Sequence, residues 1–214
     1  MSDTRELSWP KSLAEMRERQ QGMFTEKEFK AGLELKLRPT DVVITPFAKS
    51  GTTWTQQIVH TLRTRGDMDF DDISRVVPWI ETSAALGIDL NAEQKANPRA
   101  FKSHLGWDLV PKGGRYINVV RNPADVVVSL FKFNEGWYWE PGAVDLDEYA
   151  MSDPFRRRSY YQHLKSWWPR RHDPDVLFMC YEKMLEAPRE TIRRIAGFIG
   201  VPLDDELLDL TERH

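Results

Sequence analysis

The chain has one cysteine, Cys180, in 214 residues. An internal disulfide is therefore excluded, and such usage fits a reducing compartment, so the expectation is a cytoplasmic protein. Cys180 closes the apolar run Val176 to Cys180 with no base or metal partner beside it, and reads as a small buried filler. No apolar run is long enough to cross a membrane, and the polar start, Met1 to Glu6, does not read as a signal peptide. Positive charge is not in excess. Thirty Lys and Arg stand against 33 Asp and Glu, a formal net charge of −3, which gives no general affinity for nucleic acid or anionic lipid. Any anion must be held by a local pocket. No glycine stands from Asp41 to Ser50, which excludes the Walker order G-x-x-x-x-G-K-[ST] there. The acidic stretch Asp67 to Asp72 lacks the turn glycine and closing Glu of a calcium loop, and no metal site is expected. No repeat, low-complexity tract or linker divides the chain. The expectation is one domain over 1–214, a size that buries about 70% of its unfolded surface.

What is present alternates between two periods. Asp41 to Thr45, Arg99 to His104, Tyr116 to Arg121 and Val176 to Tyr181 are short apolar runs rich in β-branched residues, and read as strands. Between them lie helical patterns over 11–21, 51–65, Asn122 to about Phe133, and 155–169, with a last one from Pro188 to Ile199. Leu13 and Met16 face inward on the first, and Gly66 and Gly200 stop two of the others. Strand–helix alternation predicts an α/β fold of three layers, P-loop-like, with a central mostly parallel sheet flanked by helices. Ligands of such sheets sit beyond the carboxyl ends of the strands. Lys49, His104, Arg121 and Tyr181 all fall there.

The segment Pro46-Phe47-Ala48-Lys49-Ser50-Gly51-Thr52-Thr53-Trp54 joins the first strand to a helix. Free N–H groups at a helix start, with its partial positive charge, make an anion cradle. Lys49 adds a full charge, Ser50, Thr52 and Thr53 add hydroxyls, and Gly51 admits close backbone approach. The order Lys-Ser-Gly-Thr-Thr-Trp resembles the 5′-phosphosulfate loop of the cytosolic sulfotransferases, which use 3′-phosphoadenosine 5′-phosphosulfate (PAPS). Two more stretches share the resemblance. Phe101-Lys102-Ser103-His104-Leu105 is similar to the family's Lys-Thr-His-Leu-Pro, and the run from Tyr116 through Arg121 to Ser129 resembles its 3′-phosphate motif. Tyr181-Glu182-Lys183-Met184, Val77-Pro78-Trp79-Ile80-Glu81, Phe133, and the Tyr-Gln-His and Trp-Trp stretches at 161–163 and 167–168 also match. The sequence departs in carrying Pro46-Phe47-Ala48 for the usual Thr-Tyr-Pro before the lysine.

The resemblance implies a sulfotransferase moving a sulfuryl group from PAPS to a hydroxyl or amine of a small, aromatic or apolar acceptor. It implies His104 as general base and Lys49 and Lys102 as catalytic cations. Lys49, Ser50, Gly51, Thr52, Thr53, Trp54, Arg121, Ser129 and Tyr181 would bind the donor. Trp54 either stacks on adenine or packs in the core. Ser129, bound to the 3′-phosphate, could restrain Lys49 until the acceptor arrives. Trp79, Trp107 and Phe133 would line the acceptor pocket, with Trp137, Tyr138 and Trp139 in a loop-like stretch, 136–142, folding over it. For Tyr160 to His163 helix packing is the expected role. The family continues past the position of His214 with an Arg-Lys-Gly segment that completes the 3′-phosphate site and a short dimerisation motif, so the expectation is a chain without that segment, monomeric or homodimeric. Two alternatives stay open: a small-molecule kinase with a related phosphate loop, and a module that binds the nucleotide without catalysis.

Overall fold

A computed structural model describes residues 9–20, 25–152 and 160–214. Four parallel strands form the sheet: β1 (Val42–Ile44), β2 (Ala100–Lys102), β3 (Arg115–Val120) and β4 (Val176–Cys180), in the order β2-β1-β3-β4. The chain leaves β1 for β2 on one side, then crosses back to β3 on the other. The topological switch therefore lies at the carboxyl end of β1, where an α/β sheet opens a crevice.

The strands are shorter than the apolar runs suggest. Arg99 and His104 flank β2 outside its ladder, and Tyr181 begins a helix instead of ending β4. Successive side chains of β1 serve opposite layers. Val42 and Ile44 join Ile58, Val59, Leu62, Ile117, Val119, Ile192, Ile195 and Leu207 in one core. Val43 joins Leu35, Ile80, Phe101, Tyr116 and Trp167 in the other. Each such aliphatic residue, fully buried, contributes about 1.5–3 kcal/mol.

Helix α1 spans Leu13–Gln20 and α2 Glu26–Leu33. Helix α3, Thr52–Thr64, follows β1 directly and turns Ile58, Val59 and Leu62 onto the sheet. It ends at Arg65 and Gly66, both left-handed, with φ of 55° and 98°. The four-residue α4 (Ile73–Val76) leads to Trp79, which bridges Lys102 beside β2. Helix α5, Pro123–Trp137, starts on an Asn122 side chain that accepts from the Ala124 N–H, with Pro123 in its first turn. It runs a turn beyond Phe133. Next come α6 (Leu146–Met151) and α7, described over Tyr160–Trp167; the rest of the helix expected over 155–169 lies partly outside the described residues. Short α8 (Tyr181–Glu186), α9 (Pro188–Ile199) and α10 (Asp205–Arg213) close the first core.

The stretch 136–142 is only partly loop, and Trp139 does not fold over an acceptor. Trp137 belongs to α5, and Trp139 is 0% exposed, packed with Leu13, Met16, Val144 and Tyr149 in a third cluster. Burying the large indole there is worth more than leaving it on a mobile loop.

An ion pair anchors the start of β1. Arg99 donates from Nε to Asp41 Oδ1 at 3.1 Å and also reaches the carbonyls of Leu90, Asn91 and Lys36. The side chains are only 2% and 1% exposed. Arg99→Met would leave Asp41 charged, buried and unpaired, at a cost of about 3–5 kcal/mol. Urea titration is expected to show that loss; a change under 1 kcal/mol would refute the clamp.

Candidate active site

The loop after β1 is held from both sides. Arg121, just past β3, donates from Nη1 to the Lys49 carbonyl at 2.9 Å. His104, just past β2, meets the Pro46 carbonyl through Nδ1 at 2.8 Å. The loop thus lies between two strand ends on either side of β1, and Lys49 is fixed at φ 64°.

Helix α3 then starts on Gly51 with no side-chain cap. Side chains do cap α2, α5, α6 and α10, through Thr25, Asn122, Asp145 and Asp204. Three more polar atoms there are buried without a partner: Ser50 Oγ, Thr52 Oγ1 and Arg121 Nε. Unpaired donors around a helix start suit a multiply charged anion. Gly51 is required twice over. Its φ is 95°, and a Cβ would stand 2.8 Å from Cδ2 of Tyr181.

His104 is placed as a base. A carbonyl only accepts, so Nδ1 carries the proton and Nε2 has the free lone pair. Burial, then the nearby Lys102 ammonium, pushes the imidazole down to about 3, so it is neutral at pH 7. Glu81 Oε1 accepts the His104 backbone N–H at 2.6 Å. Burial raises the Glu81 carboxyl above its ordinary value.

Lys102 and His104 meet at one indole: Lys102 Nζ is 4.2 Å from the Trp79 ring centre, and the His104 ring stands edge-on at 5.3 Å. Their shared face survives although only Lys102 is in the strand. Burial lowers the pKa of both Lys49 and Lys102; for Lys49 the Arg121 charge adds to it.

A cavity of about 840 Å³ opens beside His104, lined by Phe29, Phe47, Trp79, Glu81, Leu105 and His163 among others. Trp107 does not line it. That indole packs edge-on against Tyr116 and Trp167 and borders a separate shallow groove with Lys165 and Arg170. Aromatic partners on the core side outweigh a place in the cavity. Phe133 is 39% exposed on α5 and lies under Lys49 Nζ, 4.5 Å from its ring centre. Lys49 thus rests on Phe133, and Ser129 is half-buried one turn earlier on α5. Thr53 is exposed at the start of α3.

Trp54 meets Tyr181 edge-on at 6.0 Å and packs against the first core. The Tyr181 ring also carries the Arg121 guanidinium, 4.6 Å from its centre. Arg121 makes no ion pair among the described residues. Cys180 is not the buried filler expected. It is half-exposed, its thiol donates to Glu182 Oε2 at 2.9 Å, and burial pushes its pKa up.

Sequence reasoning gave His163 only a packing role. It is 8% exposed on the cavity wall, its Nε2 has no partner, and burial lowers it to about 4. The carbonyl of Pro46 carries no signal in the sequence, because any residue has a carbonyl. Among the described residues no three His, Cys, Asp or Glu side chains are grouped to hold a metal ion.

A parallel α/β sheet thus carries an anion cradle at its switch point, with a neutral histidine beside a cavity. The sulfotransferase domain model matches residues 39–214, and the chain belongs to that family. It is 34% identical to sulfotransferase 1B1 of Canis lupus familiaris, over 83% of this chain and 64% of the relative. Against sulfotransferase 1B1 of Mus musculus it is 33% identical, over 85% and 65%. The chain thus spans just under two thirds of these relatives. A retinol dehydratase crystallised with retinol and PAP (adenosine 3′,5′-bisphosphate) superposes with a TM-score of 0.69 at 24% identity, covering 88% of this chain and 69% of that one. A mouse sulfotransferase complexed with PAP gives 0.68 at 21%, covering 89% and 69%. Both share the fold.

Proposed function

We propose that this chain carries the donor cradle and the acceptor cavity of a PAPS-dependent sulfotransferase acting on a hydroxyl or amine of a small, aromatic or apolar acceptor in the cytoplasm. The observation that carries the reading is the bond from His104 Nδ1 to the Pro46 carbonyl. It ties the base to the anion loop and leaves Nε2 free beside the cavity.

The donor would supply an activated sulfuryl group. Lys49, Ser50, Gly51, Thr52 and Thr53 would hold its 5′ end at the open start of α3. Arg121 and Ser129 would take the 3′-phosphate, with Tyr181 and Trp54 at the adenine. His104 Nε2 accepts the proton of the acceptor as it attacks. Lys49 and Lys102 carry charge where negative charge grows, in a site that costs no reorganisation. Trp79, Phe47 and Leu105 give the acceptor apolar walls.

A kinase reading needs a carboxylate for Mg²⁺ at a strand end, where this chain has Arg121. Titration calorimetry decides between them: tight binding of PAP, weak binding of ATP with Mg²⁺, and transfer of labelled sulfate to a phenol panel are expected. Preference for ATP would refute the sulfotransferase reading. PAP binding without transfer would reduce the chain to a nucleotide-binding module.

The pH dependence follows from His104. An ordinary histidine would lose its lone pair near 6.5, whereas His104 keeps it to about 3. The value of kcat/KM is therefore expected to stay level from pH 8 through 6. Stability runs the other way. His60 and His163 are lowered to about 4 as well, so the unfolded chain takes up protons first. Stability is full above 6.5 and falls as pH drops towards 4. Acid should therefore unfold the protein before it titrates the base. An acid limb at 6.5 in a chain whose Tm is unchanged would contradict the assignment.

A further inference from the structure

We infer that Phe133, Trp79 and Tyr181 are positioning residues, each a neutral ring on which one cation of the site rests, unpaired, until an anion arrives. Lys49 Nζ lies 4.5 Å from the Phe133 ring centre, Lys102 Nζ 4.2 Å from that of Trp79, and Arg121 Cζ 4.6 Å from that of Tyr181. The three cations flank the loop after β1. None of them forms an ion pair among the described residues, although pairs are frequent elsewhere, as at Arg65–Asp204, Lys183–Glu186 and Arg189–Asp209.

The charged groups that act on Lys102 are the carboxyls of Glu81 and Asp72 and the ammonium of Lys49; Arg121 acts on Lys49, and the Glu182 carboxyl interacts with Arg121 without forming an ion pair. The carboxyls act on Lys102 from beyond contact range.

The arrangement has a physical purpose. A carboxylate partner would hold a lysine firmly, but the incoming anion would have to displace it. A ring face attracts a cation weakly and does not compete for its N–H donors. The cation keeps its place and its N–H donors. Placement on three separate elements makes the set rigid. Trp79 is tied to Lys102 through a backbone bridge, Phe133 sits on α5, and Tyr181 opens α8 against Gly51. The identity of the anion rests on the sulfotransferase reading; the contacts themselves do not.

The test has two independent arms. In protein labelled with ¹³C-lysine and free of nucleotide, three lysine ε-CH₂ signals are expected to be shifted upfield by ring currents: those of Lys49, Lys102 and Lys112, the last lying on Trp107 outside the site. Phe133→Leu should release the first and Trp79→Leu the second, with the third unmoved, while Phe133→Tyr and Trp79→Phe should retain all of them. In the second arm, Phe133→Leu should weaken PAP by roughly three- to thirtyfold, the range of a partly desolvated cation–ring contact, and Phe133→Tyr should stay within about twofold of the parent. Loss of acceptor lining alone would raise the acceptor KM and leave PAP affinity unchanged. That result, or lysine signals that ignore the Leu substitutions, would overturn the inference. Should the parent chain bind no PAP, the sulfotransferase reading fails and the lysine spectra alone still decide whether the rings hold the cations.

Discussion

His104→Ala is expected to lower sulfuryl transfer by about a hundred- to ten-thousandfold, the usual contribution of a positioned base, while PAP binds within a few-fold of the parent. The separation follows from geometry. His104 belongs to the cavity wall, and its link to the anion loop is one bond, Nδ1 to the Pro46 carbonyl. Losing that bond costs about 1 kcal/mol, too little to collapse a loop that Arg121 still grips from the other side. Transfer rates from rapid quench and PAP affinities from calorimetry measure the two effects separately. Turnover within tenfold of the parent would remove His104 as the base. An equal loss in both quantities would make it a scaffold of the loop.

Lys49→Met is expected to lower kcat by roughly a hundred- to a thousandfold, as for one lost charge-stabilising donor. Methionine is unbranched and retains much of the packing against Phe133, so the loss should be of charge and not of fold. The left-handed φ of 64° at this position is no harder for methionine than for lysine. The partly unpaired cradle at α3 and Arg121 remain, so PAP should still bind, weakened by at least as much as Phe133→Leu weakens it. Lys49→Arg keeps a charge but has a larger, planar head, and should recover only part of the rate. A Met variant with the parent kcat would show that the helix start alone carries the developing charge.

The sequence was informative wherever short-range pattern decides structure. Four β-branched runs gave four strands, because only a buried sheet accommodates such runs between helices. Asn122-Pro123 and Gly200 announced helix ends through their own backbone chemistry. The order Lys49-Ser50-Gly51 placed a cation before an uncapped helix, and the strand-end rule brought Arg121 and His104 to the same edge. Aromatic residues were the weak point. Trp107, Trp137 and Trp139 look alike in sequence, yet one packs on Tyr116 and Trp167, one is 71% exposed, and one is wholly buried. A large ring gains from burial anywhere, so pattern alone cannot assign it to a core or a cavity. His163 was assigned to packing for the same reason.

Sequence by itself determined the alternation of strands and helices, the family, and the chemical inventory of the site, since each depends on residue type and local spacing. Tertiary structure alone decided which groups meet. It set Nδ1 of His104 against a carbonyl from a different strand end, laid three cations on rings from three different elements, and sent Trp107 to the far groove. Those outcomes depend on strand order, and the order β2-β1-β3-β4 is fixed by long-range packing that no local window contains.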